Sequence, residues 1–88
     1  MIRRRVVVHG LVQGVFFRDS VRQRAWSTGV NGWIRNTQDG AVEAVLEGDS
    51  AAVERLVAFC RDGPRGARVD RVDVSEEPPE GIRGFAIR

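Results

Sequence analysis

The chain has 88 residues, 42% apolar and 30% charged, with fourteen arginines, no lysine and twelve acids giving a net charge of +2. That size suits one compact domain over residues 1–88, and no apolar run approaches the roughly 18 residues that a membrane span needs. A single cysteine, Cys60, excludes an internal disulfide and a cysteine-rich metal site; a soluble, cytoplasmic protein is expected, and the near-balanced charge gives little ground for a nucleic-acid partner.

The opening MIRRRVVVHG is basic and then apolar, but its apolar part is too short for a secretion signal. Its valines predict a first strand from about Arg3 to Gly10, with Arg3, Arg4 and Arg5 as a solvated start. The stretch GLVQGVFFR follows, and a helix is predicted from its end: Phe17, Val21, Ala25 and Thr28 share one face, and Gly29 stops it. VNGWIRNTQDGAVEAVLEG reads as a hairpin, with Trp33 and Ile34 in one arm, Asp39-Gly40 at the turn, and Val42, Ala44 and Leu46 alternating in the other.

A second helix is predicted after Asp49 or Ser50, with Val53, Leu56, Val57 and Cys60 as its buried stripe and Gly63-Pro64 as its end. ARVDRVDV reads as a strand with an irregular step between Val69 and Val72, SEEPPEGIRG as a loop, and GFAIR as a closing strand with Phe85 and Ile87 on one face. The order strand, helix, strand, strand, helix, strand predicts an α+β, ferredoxin-like βαββαβ sandwich: an antiparallel sheet of four to five strands with two helices on one face. In that topology the first two strands run parallel with the hairpin's return strand between them, so Arg18 and Asn36 emerge at one edge of the sheet.

The amides that open a helix lack intrahelical partners and carry partial positive charge. A loop with Gly10 and Gly14 can fold such amides around a phosphate, and Arg18 adds charge-assisted hydrogen bonds; the same segment also reads as an ordinary strand-to-helix connection. It is no nucleotide-binding phosphate loop, for Val15 and Phe16 stand where that motif needs Lys and Ser or Thr. Neither the lone histidine nor the scattered carboxylates offer a metal-ligand spacing, so no metal or cofactor is expected. CRDGPR is one residue short of the cysteine phosphatase spacing, and Cys60 completes a helix stripe instead. His9 has no base-orienting partner visible in the sequence.

A phosphate site with an arginine and a carboxamide, but no nucleophile and no acid–base pair, suits only an easy substrate. An acyl phosphate is one, because its carboxylate leaves without needing a proton. HGLVQGVFFR and GWIRNTQDGAVEAVLEG resemble the two signatures of the acylphosphatase family, and the likeness extends to chain length, element order and the closing FAIR. Ile34 stands where the second signature more often has Val or Ala. The resemblance implies that Arg18 binds the phosphate, that the amides of Gln13, Gly14, Val15, Phe16 and Phe17 hold its oxygens, and that Asn36 orients the attacking water, with no metal and no phosphoenzyme. Without it, an Asn before TQDG is more often a turn residue, and Thr37 a strand-end one.

The expected partner is a small-molecule acyl phosphate, and the expected state a monomer. Two alternatives stand beside this reading. One is a non-enzymatic ferredoxin-like RNA-binding module, although RRRVVVHG and AVEAVLEG lack its stacking aromatics. The other is an acylphosphatase-like domain of a larger carbamoyl-transfer protein that matures hydrogenases; a stand-alone protein is expected.

Overall fold

The structure, a computed structural model, describes residues 1–88. In chain order its elements are β1 (Ile2–Leu11), α1 (Phe17–Thr28), β2 (Asn31–Asn36), β3 (Val42–Gly48), α2 (Ser50–Asp62), β4 (Arg68–Glu77) and β5 (Phe85–Ile87). α2 forms where its sequence carries both signals: the Asp49 carboxylate accepts from the Ala52 amide, and Ala52, Val53, Leu56, Val57 and Cys60 are buried. α1 buries Phe17, Val21 and Ala25. Thr28, expected on that face, is exposed and donates to the Arg24 carbonyl, because the helix ends there and Val30 turns back beneath it, its amide reaching the Ala25 carbonyl at 3.0 Å.

The sheet order is β4-β1-β3-β2-β5. β1 and β2 each pair antiparallel with β3, so they run parallel to one another as expected. The sheet is not wholly antiparallel, however: β5 returns alongside β2 in parallel, making it mixed. The irregular step in β4 is a bulge, where His9 faces Arg71 but Gly10 faces Val69, leaving Asp70 as the extra residue. Both helices pack on the face carrying Val6, Val8, Ile34, Val42, Ala44 and Leu46, and these side chains with the helix stripes form one core.

The opposite face corrects two expectations. Arg3 is no solvated strand start but is 5% exposed, and Ser75 to Glu77, expected in a loop, belong to β4. A ladder of alternating charge explains both, running Arg35, Glu43, Arg5, Glu77, Arg3, Glu47 across four strands. Beneath it Val45 is fully buried, and Arg5 and Arg88 cover the Trp33 ring.

Glu47, 1% exposed, ends the ladder and accepts from the amides of Glu80, Gly81 and Ile82, holding down the segment that leads to β5. Burial alone would push its carboxyl upward, but the Glu80 amide, the Arg3 guanidinium and the Gly81 amide outweigh it and hold it below its ordinary 4.5. Glu77, bonded by Arg5 and Arg3, is lowered as well. Carboxyls depressed in the folded state stabilise fully above their unfolded value of 4.5 and lose that contribution as the pH falls through the folded values. Glu47→Ala, which strips three amides and Arg3 of a buried partner, is expected to lower unfolding free energy by about 3 kcal/mol in urea titrations at neutral pH, with the gap to wild type closing below the ordinary carboxylate range.

Candidate active site

Sheet register brings the strand that leads into the loop and the strand that ends in Asn36 to one row. Val8 of β1 pairs with Val42 of β3, and Val42 pairs with Asn36, so the end of β1 and the end of β2 lie on one edge with a single strand between them. Asn36 is two residues beyond Ile34 and therefore shares the helix-facing side.

From that edge the chain passes through residues 12–16 into α1. Gly10 is required here by the bulge rather than by any anion, since a Cβ would sit 2.1 Å from the Arg68 carbonyl oxygen. Gly14 is different: it has φ of +76° with open space around it, so the conformation of the turn is what asks for glycine. Phe16 is also left-handed, at φ 61° and ψ 23°, although it is bulky and 82% exposed. It occupies the helix N-cap with no side-chain cap to offer. As a result no backbone amide from Gln13 to Asp19 has an acceptor within the protein; the first to find one is Ser20, which donates to the Phe16 carbonyl at 3.0 Å.

Gly14, Phe16, Phe17, Arg18 and Asp19 of this run line a cleft of about 260 Å³ together with Val12 and Ile87. Arg18 is half-buried there and takes part in none of the molecule's ion pairs. Asp19, which could have neutralised it, is turned along the helix to Arg22 at 2.6 Å and Gln23 at 2.9 Å. The cleft thus keeps one free guanidinium beside a run of free amides at a helix N-terminus, an arrangement that attracts an oxyanion.

Asn36, at the same edge of the sheet, is not among the residues lining the cleft, but it carries an acceptor. Its Oδ1 is buried and has no hydrogen-bond partner, where buried polar atoms are almost always paired. Thr37 is not available to it. The Thr37 hydroxyl donates to Asp39 and accepts from the Ala41 amide at 3.0 Å, closing the hairpin turn as a strand-end residue would.

The loop is fastened to that turn by the Gln13 side chain, whose amide nitrogen donates to the carbonyls of Thr37 and Ala41, each at 2.8 Å. Sequence reasoning assigned Gln13 only a backbone role; its acceptors lie 24 and 28 residues away, and nothing local announces them. Ile87 was also missed as a wall of the cleft, because β5 reaches this edge only through its pairing with Ile34.

The remaining candidates lie elsewhere. Cys60 is 1% exposed in the core, where burial pushes its thiol up to about 12, so it presents no thiolate. His9 does have a partner, Asp73 at 3.1 Å, with Arg71 also against the ring, but it does not line the cleft. An RNA platform would need exposed aromatics on the open face. β1 and β3 contribute the ladder, His9, valines and Leu11 there but no aromatic, and Trp33 on β2 is covered by arginines.

Comparison with known proteins agrees with this architecture. A profile of the Acylphosphatase family matches residues 4–87. The chain is 59% identical over 87 residues to an acylphosphatase of Rubrobacter xylanophilus, covering 98% of this chain and 79% of that one. The crystal structure of an acylphosphatase from Bacillus subtilis superposes with a TM-score of 0.95 at 35% identity, covering 100% of this chain and 99% of the other. Part of the HypF structure from T. kodakarensis is also similar, with a TM-score of 0.84 at 32% identity, covering all of this chain but 12% of that one. With a family match across nearly its whole length and relatives of this identity, the chain belongs to the acylphosphatase family, enzymes that hydrolyse acyl phosphates.

Proposed function

We propose that the chain hydrolyses acyl phosphates by direct attack of water on phosphorus, with Arg18 and the amides of Gln13 to Arg18 binding the phosphoryl oxygens and Asn36 orienting the water. The observation that carries this reading is the run of acceptor-free amides from Gln13 to Asp19, of which Gly14, Phe16, Phe17 and Asp19 line one cleft with the unpaired Arg18. Phosphoryl transfer passes charge through the equatorial oxygens, and fixed donors aimed at that charge, together with positioning of the nucleophile, supply most of the catalysis. The buried, partnerless Oδ1 of Asn36 is an acceptor of the kind a water hydrogen satisfies. The P–O bond to the acyl group breaks as the water oxygen bonds phosphorus, and the leaving carboxylate needs no general acid. A working monomer in the cytoplasm, spanning residues 1–88 as one domain, completes the reading; no helix is long and apolar enough to cross a membrane.

Benzoyl phosphate hydrolysis tests it. Purified protein is expected to release benzoate and phosphate at an unchanged rate with EDTA present, and in ¹⁸O-water the label is expected in phosphate. Label in benzoate would place the attack on carbon and overturn the mechanism, and loss of activity with EDTA would overturn its independence of metal.

A further inference from the structure

We propose that Gln13 is a positioning residue whose side chain sets the distance between the phosphate-binding loop and the water-orienting Asn36, so that it serves the chemical step rather than binding. Its two amide hydrogens are both spent across the cleft edge, one on the Thr37 carbonyl and one on the Ala41 carbonyl, each at 2.8 Å. Those carbonyls close the hairpin turn immediately after Asn36: Thr37 O also accepts from Gly40 N at 3.3 Å, and Ala41 O from Thr37 N at 2.9 Å. Gln13 therefore docks on the part of the hairpin whose geometry fixes the end of β2, while its own backbone begins the run of free amides. No other side-chain hydrogen bond joins residues 12–16 to the hairpin turn. Without this link, the loop and the turn keep the sheet pairings Val8 to Val42 to Asn36 and the core that holds Val12 with Ile34 and Val42, neither of which grips the turn carbonyls.

The inference rests on Asn36 orienting the water, and a double-mutant cycle separates the two ideas. Gln13→Ala is expected to lower kcat for benzoyl phosphate by about tenfold to a hundredfold, the scale of a misplacement near 1 Å, while competitive inhibition by inorganic phosphate weakens by less than about threefold, because Arg18 and the loop amides remain. In the Asn36→Ala background the same change is expected to cost less than about threefold, since there is no longer a residue to misplace. Gln13→Met, which keeps the length but loses both donors, repeats the test should the alanine variant unfold at the assay temperature, as followed by circular dichroism. Additive losses in the cycle, phosphate inhibition falling in step with kcat, or wild-type kcat in the folded methionine variant would each overturn the positioning role. Full activity in Asn36→Ala alone would overturn the reading beneath it.

Discussion

Arg18→Ala is expected to lower kcat/KM for benzoyl phosphate by about a hundredfold or more, the scale seen when a single donor to transition-state charge is removed. The size follows from what surrounds the guanidinium. It lies half-buried in a cleft whose one carboxylate is held by Arg22 and Gln23, so nothing in the protein competes with a phosphoryl group for its donors. The same freedom makes the variant informative, because a side chain without an ion pair contributes little to folding, and a change within about 0.5 kcal/mol is expected in urea titrations. Inhibition by inorganic phosphate should weaken along with catalysis, in contrast to the pattern expected for Gln13. Arg18→Lys should recover part of the loss, since it returns the charge without the planar fork. A folded Arg18→Ala protein of wild-type activity would remove Arg18 from the site.

The two halves of this site were not equally legible in the sequence. Gly14, Phe17 and Arg18 are neighbours in the chain, and the rules that make a helix N-terminus attract anions are local, so the loop announces itself. What the loop does not disclose is the left-handed Phe16, a conformation that a phenylalanine in sequence gives no reason to expect. Asn36 stands at a hairpin turn, where its residue type is ordinary; only the parallel course of β1 and β2 brings it beside the loop.

The misreadings share one cause. Arg3 and Arg5 look solvated because the acids that bury and pair them, Glu43, Glu47 and Glu77, come from strands far along the chain. Ser75 to Glu77 look like a loop for the same reason, and β5 is placed by its pairing with Gly32 to Ile34. By contrast, the α2 stripe and its Asp49 cap depend on neighbours within a few residues, and both are found as expected.

Asn36→Ala is expected to separate activity from stability, and that separation is its value. The Asn36 Oδ1 has no hydrogen-bond partner within the protein, so alanine removes no protein contact of that oxygen. A β-strand end pays little for the exchange, because the Asn36 backbone keeps its pairing with Val42 and the adjacent turn is closed by Thr37, Ala41 and Gln13. Urea titration should therefore show stability unchanged within about 0.5 kcal/mol. On the proposed role, activity should fall about a hundredfold through kcat, because the attacking water then loses an acceptor that would fix its approach to phosphorus. An asparagine serving only the turn predicts the reverse pattern: a destabilised protein that, while folded, hydrolyses benzoyl phosphate at the wild-type rate. The two measurements on one variant thus decide whether Asn36 at the end of β2 is kept for the reaction or for the fold.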